Sequence, residues 1–251
     1  MYARFMSYRG VYILCHQGLG DHLLCGSIYR EFAKRYPLVF IPVTKNYAPT
    51  IKSMLADLDN VYIVSFDFPI TDRRLNLKME SQAKILNRIG FDILFLGNFE
   101  ASFFKDPNMR LDANYYSQAK LDLNLRWDSF SVPRDFEKES RLKNLLVEEG
   151  QRYIFVHDDE NRNFKIRREF FPDGIMVVKP DVSLAKDFSF FDYLSLIEQA
   201  DEIHCIESSF AALIEGLQIP GKKFAHRYAR PEALNDFRHE FTYRTDWTIV
   251  F

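Results

Sequence analysis

"VYILCHQGLGDHLLCGSIYREFAKRYPLVFIPV", residues 11–43, decides the fold. It opens with a short apolar run, 11–15. A loop with Gly18 and Gly20 follows. Residues 21–36 then place Leu24, Ile28, Phe32 and Tyr36 at i, i+4 spacing, an apolar helical stripe. "LVFIPV" at 38–43 is again strand-like. Strand, loop, helix, strand is a βαβ unit, and such units build parallel sheets.

The alternation continues outward. A helix is expected over 49–58, a strand over 61–66, and a helix over 79–89 stopped by Gly90. A strand at 91–96 and a helix at 113–121 follow. Residues 124–140 hold Pro133, many charges and no clear period, and read as a linker. The alternation then resumes: helix 137–149, strands 152–157 and 174–179, helix 188–200, strand 202–207, helix 208–217 and strand 222–227. The tail "DWTIVF" is expected to add an edge strand or to pack across the other half. The expected fold class is α/β, with two doubly wound Rossmann-like lobes and a cleft between them. The N-terminal lobe is expected over 1–125, a linker and connecting helix over 126–150, and a second lobe over 151–251.

The bulk numbers suit this. The chain has 251 residues, enough for two domains of ordinary size, and 47% hydrophobic with 27% charged residues suits packed globules. A formal net charge of −2 suggests neither nucleic acid nor an anionic membrane as the main partner. Cys15, Cys25 and Cys205 fit no metal or disulfide framework and are expected to be buried thiols in a reducing compartment. The five-residue apolar run after Arg4 and Arg9 is too short for a signal peptide, and no stretch reaches the ~20 apolar residues that span a bilayer. A cytoplasmic protein is expected, with peripheral contact to a membrane left open.

Ligands of open parallel sheets bind beyond the carboxyl ends of the strands, so the loops after Cys15, Leu96, His157, Lys179 and Glu207 matter most. The glycine loop is no dinucleotide fingerprint: Leu23 stands at the third glycine position, and the second strand ends without an acid. The Walker A pattern is absent as well. Two readings remain. In one, Gly18-Leu19-Gly20-Asp21 is a tight turn and Asp21 caps the next helix. In the other, Asp21 is a general base toward a hydroxyl, with His22 or His16 assisting.

"GLGDHLLCGSIYREFAKRYP" resembles the opening of the heptosyltransferase-like glycosyltransferases, family 9 and relatives, which have the GT-B fold. The matching features are Gly18, Gly20, Asp21 and "KRYP" at 34–37. The resemblance implies that Asp21 faces the cleft as the catalytic base. It also implies that the loop after the first strand of the second lobe contacts the donor's phosphates, which points to Arg162 and Lys165. Cations there would stabilise the charge building on a leaving diphosphate; the alternative is an ordinary solvated loop. His157, Asp158, Asp159 and Glu160 raise the question of a metal, the acids being oxygen ligands suited to a divalent ion. The family manages without a metal, so no metal and no resident cofactor are expected, only a nucleotide-sugar co-substrate.

"ADEIHCIESSFAALIEGLQIP", 200–220, resembles the family's strand–Asp-Thr/Ser-Gly–x-x-His–helix element. Glu207 replaces the Asp, and Ala211 or Ala212 lies where the His is expected. Ser208 or Ser209 is suited to cap the helix, whose unpaired N–H groups favour an anion. His226, Arg227, Arg230, Arg238 and His239 form a basic run after the next strand, able to hold phosphate or to pair with nearby acids. The expected function is transfer of a sugar, with inversion, from a nucleotide sugar to a hydroxyl of a glycan or glycoconjugate. The alternatives are a non-catalytic sugar-nucleotide or glycan-binding protein of the same fold, and another sugar-nucleotide enzyme, an epimerase or a hydrolase.

Overall fold

The computed structural model describes residues 10–67, 73–97, 109–230 and 240–251. The chain forms two compact units, Met1–Asp106 with Asp112–Ser131, and Pro107–Leu111 with Val132–Phe251. The division falls inside the stretch read as a linker, which also holds a short helix, Leu125–Asp128.

The first unit follows the expected alternation. Its elements are β1 (Gly10–Leu14), α1 (Leu19–Leu24), α2 (Gly26–Ala33), β2 (Val39–Thr44), α3 (Ala48–Met54), β3 (Val61–Phe66), α4 (Arg73–Arg88), β4 (Phe91–Phe95), α5 (Leu111–Gln118) and α6 (Leu125–Asp128). All four strands are parallel, in the order β3-β2-β1-β4. Val11, Tyr12, Ile13 and Leu14 are buried on both faces of the sheet, which is why β1 reads as an unbroken apolar run. On one face Leu75, Met79 and Ala83 of α4 cover Tyr12 and Leu14. Gly90, at φ +93°, follows the end of α4, as its position in the sequence suggests. The helix expected over 21–36 is two helices: α1 ends at Cys25 and α2 begins at Gly26.

The second unit contains α7 (Phe136–Leu146), β5 (Tyr153–His157), β6 (Met176–Val178), α8 (Leu194–Glu198), β7 (Glu202–Cys205), α9 (Ser209–Gly216), β8 (Lys222–His226) and β9 (Thr248–Val250). The Asp135 side chain accepts from the Lys138 N–H and starts α7. The strands are again parallel, in the order β6-β5-β7-β8-β9. The tail therefore adds an edge strand, β9, beside β8. The helix expected over 188–200 is a 3-10 turn, Phe190–Tyr193, followed by α8, and the Asp192 carboxylate accepts from the Ser189 N–H 2.6 Å away. Ile154, Phe155 and Val156 of β5 lie in the core, and Phe210 of α9 packs against Phe155.

Strand order fixes where each unit can bind. In the first sheet β2 and β3 wind off one side of β1 and β4 lies on the other. In the second, β6 lies on one side of β5 and β7 to β9 on the other. Loops leave in opposite directions at these switch points and open a crevice at the carboxyl ends. In the first unit this point lies at the carboxyl ends of β1 and β4. In the second it lies between the loops after β5 and β7.

Candidate functional site

In the first unit the loop after β1 carries His16, Gly18, Gly20 and Asp21. Gly18 is the N-cap of α1 and its backbone is extended; no side chain caps this helix. Asp21 is thus not the cap. It sits in the first helical turn, where a carboxylate also suits the helix dipole. A Cβ on Gly18 would come within 2.4 Å of Asp21 Oδ2, so the glycine leaves room for the carboxylate.

Tyr115 of α5 donates to Asp21 Oδ1 at 2.6 Å. His16 Nδ1 lies 3.0 Å from the Tyr115 hydroxyl and 3.7 Å from Asp21 Oδ1. The phenol has one proton and gives it to Asp21, so His16 Nδ1 is the donor to the phenol oxygen. Behind the imidazole lies Gly97, after β4, at φ +83°; a Cβ there would reach His16 Nε2 at 2.5 Å. The Gln118 side chain bonds both polar groups of the Gly97 backbone, at 2.6 and 3.1 Å, and so fixes that residue.

Burial opposes the charge on Asp21, but His16 and the Tyr115 hydroxyl outweigh it and hold the carboxyl below its ordinary value. Tyr115 moves the other way: burial first, then the Asp21 charge, push its hydroxyl well above the usual range, so it stays a donor. Asp21 is therefore ionised at neutral pH. Its side chain keeps about 20% of its surface exposed, and among the described residues Oδ2 has no hydrogen-bond partner. One carboxylate oxygen is held and the other is open toward a proton donor, the arrangement a general base needs.

His22, one residue on, faces elsewhere. It is fully buried, with Nδ1 2.8 Å from the Tyr29 hydroxyl and 3.4 Å from Cys15 Sγ. Cys15, Cys25 and Cys205 are all free and buried.

In the second unit β5 ends at His157, and its Nδ1 lies 2.8 Å from the Ser208 hydroxyl. Burial lowers the His157 pKa to about 4, so the ring is neutral at physiological pH. Ser208 stands at the N-cap of α9 but makes no side-chain cap; its hydroxyl turns to His157 instead. Ser209 is the first residue of the helix. Glu207 is buried, with Arg227 Nη2 at 3.7 Å and the Tyr243 hydroxyl at 3.4 Å from Oε1, while Oε2 has no partner among the described residues. Arg227 also pairs with Glu240 at 3.0 Å, and Arg230 donates to the Glu207 carbonyl. Burial raises the Glu207 pKa to about 7. Glu207, Arg227 and Arg230 thus bind one another and steady the turns at 206–208 and 227–230.

Among the described residues Arg162 and Lys165 make only local ion pairs, with Asp159 at 2.6 Å and with Glu160 at 3.8 Å. Asp158 and Glu160 both receive Lys179, so the three acids here are occupied by cations. Among the described residues no group of three or more His, Cys, Asp or Glu has the spacing to hold a metal ion. His226 is buried and lies 2.9 Å from His204, apart from the arginines that follow it. Arg238 and His239 lie outside the described residues. An open cavity of about 710 Å³ lies at the opposite, amino ends of β7–β9, lined by Glu202, Lys222 and Trp247, away from the switch point.

Tyr115, Gln118 and Gly97 are the site residues that the sequence motifs do not mark, and His157 enters them only beside the acids of a possible metal site. The only signal of the first three is topological: they stand at the carboxyl ends of switch-point strands or on the helix that follows.

No protein-family model matches the chain, and no curated protein matches it in sequence. Two solved structures do match. One is the E. coli ADP-heptose lps heptosyltransferase II, with a TM-score of 0.55, 12% identity, and 96% of this chain and 90% of that chain covered. The other is a glycosyl transferase of family 9 from Veillonella parvula, with a TM-score of 0.55, 10% identity, and 99% and 88% covered. No helix among the described residues is long and apolar enough to cross a membrane. Nearly the whole chain takes part in the likeness, and two parallel α/β units in sequence are the fold of the GT-B glycosyltransferases.

Proposed function

We propose that the protein transfers a sugar, with inversion, from a nucleotide-sugar donor to a hydroxyl of a glycan or glycoconjugate. The observation that carries this is the Asp21 carboxylate: at the switch point of the first sheet, ionised, held through one oxygen by Tyr115 and open at the other. In the proposed reaction Asp21 Oδ2 takes the acceptor proton as the hydroxyl oxygen attacks the anomeric carbon. The bond to the nucleotide diphosphate breaks on the opposite face. His16 and Tyr115 keep the carboxylate in place and steady its charge.

The second unit would hold the donor around Ser208 and Ser209, where the first N–H groups of α9 and the dipole of the helix favour a phosphate. Arg162 and Lys165 would reach the diphosphate by leaving weak, exposed pairs; an exposed ion pair is worth only about 0–1 kcal/mol. Arg227 and Arg230 would act one step back, by fixing the Glu207–Ser208 turn. His22 would serve as packing. The reaction as proposed needs no metal or resident cofactor, and a cytoplasmic location fits nucleotide-sugar chemistry.

A panel of nucleoside diphosphates and nucleotide sugars tests this by thermal shift. A ligand that binds only the folded protein at 100 times its Kd adds about 2.7 kcal/mol. One nucleotide class is expected to raise Tm, and its sugar conjugate to be consumed only when an acceptor glycan is present. No shift with any nucleotide contradicts the reading. The pairing of Arg162 and Lys165 with neighbouring acids favours a second reading, a binding module that performs no transfer. A nucleotide shift without turnover on any acceptor supports that one, and consumption of donor alone marks a hydrolase or an epimerase.

A further inference from the structure

Helix α4 has two faces, and the core explains only one. Leu75, Met79 and Ala83 are buried against Tyr12 and Leu14. On the outward side Leu77 is 66% exposed and Ile85 58%, and Ile89, which continues the last turn, is 49% exposed. A surface helix ordinarily turns polar residues outward. Arg74, Lys78, Lys84 and Arg88 are exposed as well, with the neutral Asn76, Ser81 and Asn87, and no exposed acid stands among the described side chains of the helix. Glu80 is the helix's one acidic residue, and it is half-buried. Among the described residues Lys84 and Arg88 have no ion-pair partner. Tyr62, on edge strand β3, is 45% exposed and contacts Phe40, which packs under α4, so it faces the same side of the sheet.

The chain as a whole carries a formal net charge of −2. A run of cations on one helix face, interleaved with bulky exposed aliphatic side chains, is therefore a local feature and not a bulk property. Cations alone would suit any polyanion. Isolated apolar residues alone would need no explanation. The two together match one surface: an anionic lipid bilayer, whose headgroups attract Lys and Arg while the acyl boundary takes up Leu and Ile.

We infer that the outward face of α4 docks the protein on an anionic membrane surface, with Leu77, Ile85 and Ile89 inserted among the headgroups and Lys84 and Arg88 paired with lipid phosphates. This face belongs to the unit that carries Asp21. The inference does not depend on the proposed transfer reaction.

Flotation of the full chain with vesicles tests it. Vesicles of phosphatidylcholine with phosphatidylglycerol are expected to carry the protein, phosphatidylcholine alone to carry far less, and added salt to release it. The double variant Lys84→Gln/Arg88→Gln is expected to bind about thirtyfold more weakly, from about fivefold per charge. The triple variant Leu77→Ser/Ile85→Ser/Ile89→Ser is expected to lose on the order of tenfold per side chain that inserts fully. All five positions are exposed, so melting temperatures should be unchanged, and any nucleotide-induced shift should persist. Equal flotation with neutral vesicles, or full binding by either variant, would overturn the inference. So would retention on single-stranded RNA that the apolar variant leaves intact, because the face would then be a general polyanion site.

Discussion

Gly18 has an ordinary backbone, φ −73° and ψ 147°, so conformation does not demand a glycine there. The Asp21 carboxylate does: a Cβ would lie 2.4 Å from Oδ2. Gly18→Ala is therefore expected to displace the carboxylate and cut transfer at least about tenfold, with Tm changed by no more than about 4 °C, the shift that about 1 kcal/mol produces in a chain of this size. Steady-state kinetics beside a melting curve check this, and unimpaired transfer would disconnect the loop from the chemistry. Tyr115→Phe removes the 2.6 Å hydrogen bond to Oδ1. That bond lowers the Asp21 pKa, so the acid limb of kcat/KM should move up toward the ordinary value of about 3.9, with a rate loss of roughly tenfold or more. A pH profile with an unmoved limb would remove Tyr115 from the site. Asp21 was legible as a candidate because a small loop with an acid at a strand end is a local pattern. Tyr115 was not: it lies 94 residues further along the chain, and only the folded sheet brings it near.

At the scale of elements, Glu207, Arg227 and Arg230 tie the turns at 206–208 and 227–230. Glu207 has a folded pKa raised to about 7, against an ordinary value of 4.5. The folded state thus holds its proton more tightly than the unfolded chain does. Its contribution to stability is complete below about 4.5 and is lost as pH rises through about 7. The stability difference between the wild type and Glu207→Gln should fall across that window and level off above it, as measured by denaturant unfolding at several pH values. A flat difference would contradict the burial argument. Glu215 of α9 performs a related service for the tail. It is fully buried and accepts from the Arg244 N–H at 2.5 Å, the Thr245 N–H at 3.1 Å, the Thr245 hydroxyl at 2.5 Å and the Trp247 indole at 2.8 Å. Glu215→Ala leaves these donors without their acceptor and should cost about 2–4 kcal/mol, with faster amide exchange in β9. Unchanged exchange there would show that β8 alone holds the strand. The strands themselves were readable from their apolar runs, and an edge strand was one of two readings of the tail that became β9. Helix ends were less so. Cys25 breaks the helix after Asp21 without a proline or a glycine at that position, and Ser208 gives its hydroxyl to His157 instead of to the helix it begins. Both depend on packing partners distant in sequence.

At the scale of the whole molecule, two parallel sheets with different strand orders place one switch point in each unit. The alternation of strands and helices announced two such units, and the resemblance of residues 18–37 to the family 9 glycosyltransferases pointed to the fold that the solved structures share. The cationic side of the site was the least legible part. Arg162 and Lys165 are cations in the loop after β5, but the same loop supplies the acids that occupy them, and sequence alone does not say which pairing prevails. The central claim is that Asp21 removes the acceptor's proton. Its most direct test measures sugar transfer and nucleoside diphosphate binding on the wild type and on Asp21→Asn. The account predicts a fall in kcat on the order of 10²–10⁴, the usual contribution of a general base, with nucleotide affinity unchanged. Transfer by Asp21→Asn at the wild-type rate would contradict it.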